Sequence, residues 1–198
     1  MESCLHLKIC LIGTSGVGKT SLVTKLLTND FDERNLPTVG VEFRTQKITI
    51  DGKAIALDIW DSAGQEKYKA VVKSYFREAV GCLLVFDITS PSSFNELGSW
   101  LNEFHQYAHP SAFILLIGNK CDLEEKRVIT PLVAEQFADE NKLIYIETSA
   151  CNGKNVKETF ERLAGGVIKL IDEKKIIIQA TGAKEINKNQ EDKHKSCC

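Results

Sequence analysis

Gly13-Thr14-Ser15-Gly16-Val17-Gly18-Lys19-Thr20 decides the fold. It fits GxxxxGK[ST], a loop that works only where a strand runs into a helix. Residues 5–12 read as that strand, and Leu22, Val23 and Leu26 mark one face of a helix reaching about Leu27. The glycines let backbone N–H groups close around an anion without Cβ clashes. The helix start brings its partial positive charge to the same point. Ser15, Gly16, Val17, Gly18, Lys19, Thr20 and Ser21 are therefore expected to bind the phosphates of a nucleotide. Lys19 would reach the β- and γ-phosphates, and the Thr20 hydroxyl would coordinate Mg²⁺.

Further motifs follow in order. Asp61-Ser62-Ala63-Gly64-Gln65 comes after an apolar lead-in, Leu57 and Ile59, which places Asp61 at a strand end to hold Mg²⁺ directly or through water. Gly64 can bring an N–H to a γ-phosphate. Gln65 carries a donor and an acceptor, suited to orienting water for in-line attack. Asn119-Lys120-Cys121-Asp122 follows an apolar strand, at the carboxyl edge where open α/β sheets bind ligands. The Asp122 carboxylate can accept hydrogen bonds from guanine N1–H and N2–H₂. Adenine offers no donors there and would leave a buried carboxylate unpaired. In Thr148-Ser149-Ala150, the Ser149-Ala150 pair can offer a backbone N–H to guanine O6.

Strands and helices alternate along the chain, which implies a sheet covered on both faces. Residues 41–50 and 53–60 read as strands joined by Asp51-Gly52, a two-residue hairpin signal that makes the first antiparallel to its neighbour. Residues 82–86 and 113–117 are apolar runs suited to doubly buried parallel strands, and 143–146 is the last strand. Ser90-Pro91 starts a helix expected to reach Tyr107. The final helix is expected to begin at Asn155, with Glu158 completing a capping box, and carries an apolar stripe of Val156, Phe160, Leu163, Val167 and Leu170. Gly165-Gly166 interrupts it, for which close packing is the simplest reading. Beyond Asp172 the pattern fades, and residues 184–196 are mostly polar, which reads as a mobile tail.

The 198 residues suit one domain with a tail. A net charge of −2 disfavours nucleic acid as a partner, and no apolar run approaches a membrane span. The start of the chain lacks the form of a signal peptide, and Glu2 stands where myristoylation needs glycine. The 7 cysteines show no metal-binding or disulfide spacing. Cys10, Cys82 and Cys121 read as reduced core residues, whereas Cys197 and Cys198 stand apart at the terminus.

With those motifs, Pro37-Thr38-Val39-Gly40-Val41-Glu42-Phe43, residues 60–66 (WDSAGQE), residues 84–89 (LVFDIT) and the terminal Cys197-Cys198 make the chain resemble a Ras-superfamily small GTPase of the Rab branch, over residues 5 to about 172. The resemblance implies a P-loop NTPase fold. This is an α/β architecture with a six-stranded, mostly parallel sheet, one antiparallel strand, and helices on both faces. Residues 1–172 would form the GTPase domain and 173–198 a flexible tail ending in a prenylation motif. GTP and GDP would be the bound nucleotides, with Mg²⁺. Hydrolysis, carried by Gln65, Lys19 and Thr38, would be slow without an activating protein. Thr38 would be the switch threonine that binds Mg²⁺ and senses the γ-phosphate, and Phe31 the aromatic on the guanine edge. Phe43, Trp60 and Tyr75 match an effector-facing aromatic triad; they could also be core residues.

The implied role is a switch in vesicle traffic on the cytoplasmic face of an intracellular membrane, with a cytosolic pool. Implied partners are effectors, an exchange factor, a GTPase-activating protein, a prenylation escort and a protein extracting the GDP form, around a monomer. Some residues depart from the pattern. Cys151 stands at a guanine-contacting position often held by Lys, and buries less area, so the base would rest more on Lys120 and Phe31. Residues 75–79 read Tyr-Phe-Arg-Glu-Ala, Lys67-Tyr68 replaces an Arg-led pair, and Val39 replaces Ile. Arg34, four residues before Thr38, reads as a solvated loop arginine. A scaffold binding GTP without turnover is disfavoured by Gln65. A Ras- or Rho-type signalling protein is disfavoured because the chain ends in Cys-Cys and not a CaaX box. Two lipid chains on Cys197 and Cys198 suit the tail, since Lys184, Lys188, Lys193 and Lys195 are nearly balanced by Glu185, Glu191 and Asp192.

Overall fold

The computed structural model describes residues 4–31, 38, 40–62 and 74–178. Strand β1 (Leu5–Ile12) leads into the glycine loop and helix α1 (Lys19–Thr28), as the sequence predicts. Strands β2 (Val41–Ile50) and β3 (Lys53–Ser62) form the expected antiparallel hairpin. Its turn residues Asp51 (φ 49°) and Gly52 (φ 76°) both take the left-handed conformation that a tight two-residue hairpin requires. β4 (Gly81–Asp87), β5 (Phe113–Asn119) and β6 (Ile144–Glu147) complete a six-stranded sheet in the order β2-β3-β1-β4-β5-β6. Every other neighbouring pair is parallel, so the predicted fold class is the observed one.

The two-residue strand period sorts the core into two layers. Leu7, Ile9 and Leu11 of β1 point to α1 and α5 (Val156–Asp172), where Leu22, Val23, Phe160, Leu163 and Val167 meet them. Cys10 and Ile12 point the other way, with Cys82, Leu84, Phe86 and Leu116, toward Leu97, Trp100, Leu101 and Phe104. All of β4 is buried, whereas β2, an edge strand, is largely exposed. Burial pushes the Cys10 thiol up to about 12 and Cys82 well above its ordinary value, consistent with inert core cysteines.

Four local expectations change. The helix starting at Ser90-Pro91 is two helices, α2 (Pro91–Asn95) and α3 (Leu97–Tyr107), divided at Glu96. Its start is as read, since the Ser90 side chain accepts from Ser93 N–H. A helix between β5 and β6, α4 (Pro131–Glu140), went unread although Thr130-Pro131 repeats the same start signal and Thr130 caps Val133 N–H. The capping box at Asn155 does not form. Asn155 takes φ 57° without capping through its side chain, and its amide donates instead to the Glu147 carbonyl at 2.8 Å. The last change is at the tail: helix α5 ends at Asp172, but Ile176 folds back into the core at 1 % exposure, so the folded unit outlasts the helix. Of the two helix glycines, only Gly166 is explained by packing. A Cβ there would stand 2.3 Å from the Phe113 ring, whereas one on Gly165 meets nothing within 4 Å.

Candidate nucleotide site

The glycine loop joins the end of β1 to the start of α1, beside the carboxyl ends of β4 and β5. Two of its glycines are required by neighbours as well as by backbone angle. A Cβ on Gly13 (φ 136°) would lie 2.1 Å from the Val85 carbonyl oxygen, and one on Gly18 (φ 95°) 2.4 Å from Asn119 Nδ2. Gly18 caps α1 without any side-chain hydrogen bond, the form of helix start that receives an anion. Ser15 and Gly16 are exposed at the loop tip and Val17 is buried beneath it. Lys19 is 4 % exposed and donates to the carbonyls of Gly13 (2.7 Å) and Thr14 (3.0 Å). Burial lowers its pKa to about 8, with Asp61 opposing the shift.

Three oxygen-bearing side chains meet beside that lysine. The Thr20 hydroxyl donates to Asp61 Oδ2 at 2.5 Å, and the Thr20 and Thr38 hydroxyl oxygens lie 2.6 Å apart. Asp61 is 1 % exposed, and among the described residues its Oδ1 is the buried side-chain oxygen without a hydrogen-bond partner. Burial raises its pKa to about 6, against the Thr20 hydrogen bond and the Lys19 charge. An orphaned carboxylate oxygen among hydroxyls is a hard, all-oxygen donor set, and it fits Mg²⁺. Gly64 and Gln65 lie outside the described residues, as do Arg34, Lys67-Tyr68, Cys197 and Cys198.

On the other side, the parallel register of β4 and β5 sets Asp87 opposite Asn119. Asn119 ties three motifs together. Its Nδ2 donates to the Val17 carbonyl of the glycine loop at 2.8 Å, and its Oδ1 accepts from the Thr148 hydroxyl at 3.1 Å. With the residue 1 % exposed, both ends of its amide act on the protein. Thr148 is also held through its backbone, by Gly118 and Cys121, and Ser149 Oγ accepts from Asn152 N–H. Thr148 and Ser149 are fully buried and Ala150 nearly so, while Asp122 and Cys151 remain exposed at the rim. Phe31 stands beyond the end of α1 and is 37 % exposed.

The 3₁₀ turn Glu124–Lys126 and β6 are clamped by Arg127, a connection the motif reading missed. Its guanidinium bonds both Glu124 oxygens and, through two nitrogens, both Glu147 oxygens, at 2.7–3.0 Å. The Glu124 and Glu147 hydrogen bonds push the arginine's pKa up. Tyr145 donates to Glu147 as well, and burial followed by that hydrogen bond raises its pKa.

The aromatic triad forms a row running inward. Phe43 and Trp60 ring centroids are 5.2 Å apart and Trp60 and Tyr75 6.1 Å, with Lys8 Nζ 4.5 Å above the Trp60 ring. Phe43 is 53 % exposed, but Tyr75 is 2 % exposed and its hydroxyl donates to the Trp60 and Leu11 carbonyls. Tyr75 is thus an inner support and does not face outward.

The sequence model described as "Ras family" matches residues 8–169. Similar proteins include Ras-related protein Rab-11C of Dictyostelium discoideum, 43 % identical over 171 residues, or 86 % of this chain and 76 % of that protein. GTP-binding protein ypt3 of Schizosaccharomyces pombe is 43 % identical over 169 residues (85 % and 79 %), and human Ras-related protein Rab-4B 42 % over 165 residues (83 % and 78 %). Among the described residues no helix is long and apolar enough to cross a membrane. A glycine loop, a buried lysine, an orphaned carboxylate and loops tied together by Asn119, found with these relatives, lead to one conclusion. The chain belongs to the Ras family, in its Rab branch, as a GTP- and GDP-binding, GTP-hydrolysing switch of vesicle traffic that works with effectors and regulators.

Proposed function

We propose that Thr20, Thr38 and Asp61 hold Mg²⁺ beside the phosphates, and that the switch reads the γ-phosphate through Thr38 and Gly64. The observation that carries this reading is the unpartnered Asp61 Oδ1, buried within a cluster that includes both threonine hydroxyls. When bound, the cation neutralises charge on the phosphate oxygens. Lys19 is held by the carbonyls of Gly13 and Thr14 at the loop that would receive the anion, and Asp61 opposes the lowering of its pKa by burial. The residues of the glycine loop, 15–21, orient the phosphates with backbone N–H groups. Gln65 orients the attacking water, and Asp122 selects guanine with the support of Lys120, Ser149, Ala150, Cys151 and Phe31. Asn119 contributes to that site by fixing its loops.

Phe43 and the outer part of Trp60 supply the apolar surface for effectors. The tail beyond the folded unit serves as a tether, and lipids on Cys197 and Cys198 hold the protein at the cytoplasmic face of an intracellular membrane. One lipid chain is a marginal anchor at about 0.8 kcal/mol per buried CH₂; two make attachment stable. A carrier covering both lipids would sustain a cytosolic pool. Single-turnover GTP hydrolysis tests the chemistry. Gln65→Leu is expected to keep GTP bound and slow its cleavage, with or without an activating protein, and equal turnover would remove Gln65 from the mechanism. Fractionation of the Cys197→Ser/Cys198→Ser protein tests the anchor, which fails if membrane recovery matches wild type.

A further inference from the structure

Residues 84–89 (LVFDIT) help to mark the branch, yet none of the roles above uses Asp87. Its side chain is 9 % exposed, and a carboxylate so placed needs partners for its oxygens. Oδ1 accepts from the Thr89 N–H (2.8 Å) and the Thr89 hydroxyl (2.7 Å). Oδ2 lies 2.6 Å from Lys120 Nζ. The backbone is fixed too, because Asp87 N–H donates to Ser93 Oγ and that hydroxyl donates to the Ser90 carbonyl at the start of α2. Lys120 takes φ 65° immediately after β5, a left-handed conformation unusual for lysine, so its side chain leaves the sheet edge in an enforced direction.

From this geometry we infer that Asp87 is the positioning residue for Lys120. The inference rests on the reading that the Lys120 stem lies against the guanine base. A lysine side chain loses rotamer entropy when held in one geometry, and a free ammonium would sample many. Anchoring Nζ on a buried carboxylate removes that freedom before nucleotide arrives and leaves the aliphatic stem extended along the base side of the cleft. Cys151 makes the anchor matter more. With only a short, exposed side chain at position 151, the base depends more on Lys120 and Phe31 for apolar cover. Asp87 acts at a distance: its oxygens are occupied by protein donors and do not touch the nucleotide.

The test is the release rate of a fluorescent GDP analogue from the full chain in Mg²⁺, for Asp87→Asn, Lys120→Ala and the double variant. Asn preserves the shape and can still accept from Thr89, so the strand end is kept. Asp87→Asn is expected to speed release about tenfold in the wild-type background and to add almost nothing to Lys120→Ala. Thermal melting of the GDP complexes accompanies each measurement. Equal acceleration by Asp87→Asn in both backgrounds, or a lowered melting point with unchanged release, would overturn the inference by giving Asp87 a purely structural role. If Lys120→Ala itself leaves release unchanged, the reading of Lys120 against guanine fails. If only Lys120→Ala speeds release, that reading stands and the role of Asp87 does not.

Discussion

The two edges of the nucleotide cleft are built on opposite plans. The edge proposed to read guanine is interlocked by protein contacts: Asn119 joins the glycine loop to Thr148, Arg127 clamps two glutamates, and Asp87 pairs with Lys120. The phosphate edge places Lys19, Asp61, Thr20 and Thr38 within reach of one another, with a buried carboxylate oxygen left unsatisfied. The first of these edges lies at the ends of the parallel strands β4, β5 and β6, with β4 and β5 inside the sheet and β6 at its far side. The phosphate edge leads to β2, an exposed edge strand. A site that must hold a base steadily and release a γ-phosphate signal benefits from that division. Rigid ties serve selectivity, and an incompletely satisfied cluster lets ligand decide the conformation.

Variants can break or sharpen this contrast. The largest expected effect is on the guanine edge. Asp122→Asn should lower GTP affinity on the order of 10³-fold, from two lost charge-assisted hydrogen bonds, and favour xanthine nucleotides in competition binding. Arg127→Ala follows, lowering stability in urea by about 2 kcal/mol, because Glu147 is left partly buried with its charge unopposed and the Tyr145 hydroxyl as its remaining side-chain donor. If the loss is a few tenths instead, the clamp is a surface ion pair and the guanine edge is less rigid than described. On the phosphate edge, Thr20→Asn should weaken Mg²⁺-dependent GTP binding by about 10–100-fold while GDP binding suffers less, measured by titration with and without the metal. Thr148→Val should destabilise by about 1 kcal/mol and speed GDP release severalfold, since the buried Asn119 Oδ1 loses its donor. The smallest effect lies away from both edges. Gly165→Ala should stabilise α5 by about 0.8–1 kcal/mol, read from thermal melting, with nucleotide release unchanged.

Legibility followed the physical origin of each signal. The β2–β3 hairpin was readable because Asp-Gly imposes a backbone geometry that few other pairs accept, and the turn angles bear this out. The buried strands were readable from their apolar runs, to within a residue or two at each end. The division at Glu96 was not. Its backbone remains right-handed there, and among the side-chain contacts is one from the Thr14 hydroxyl to the Glu96 carboxylate across 82 positions of sequence. Asn155 misled for a similar reason. A cap residue and a glutamate three positions later are local facts, but the Glu147 carbonyl that captured the asparagine amide belongs to another element.

By itself the sequence carried the motifs and the architecture: a GxxxxGK[ST] loop between a strand and a helix, an Asn-Lys-Cys-Asp turn after an apolar strand, and the periodicities that make a mostly parallel sheet between two helical layers. These are properties of residue type and short spacing, which the chain carries wherever it goes. The tertiary structure alone decided which glycines are required by their neighbours, that Tyr75 is an inner support, that Asn119 binds loops together, and that Asp87 meets Lys120. Each of those depends on atoms from segments distant in sequence being brought to within a few ångströms. Only strand register and packing fix such distances, because a shift of one residue along β4 would carry Asp87 to the other face of the sheet.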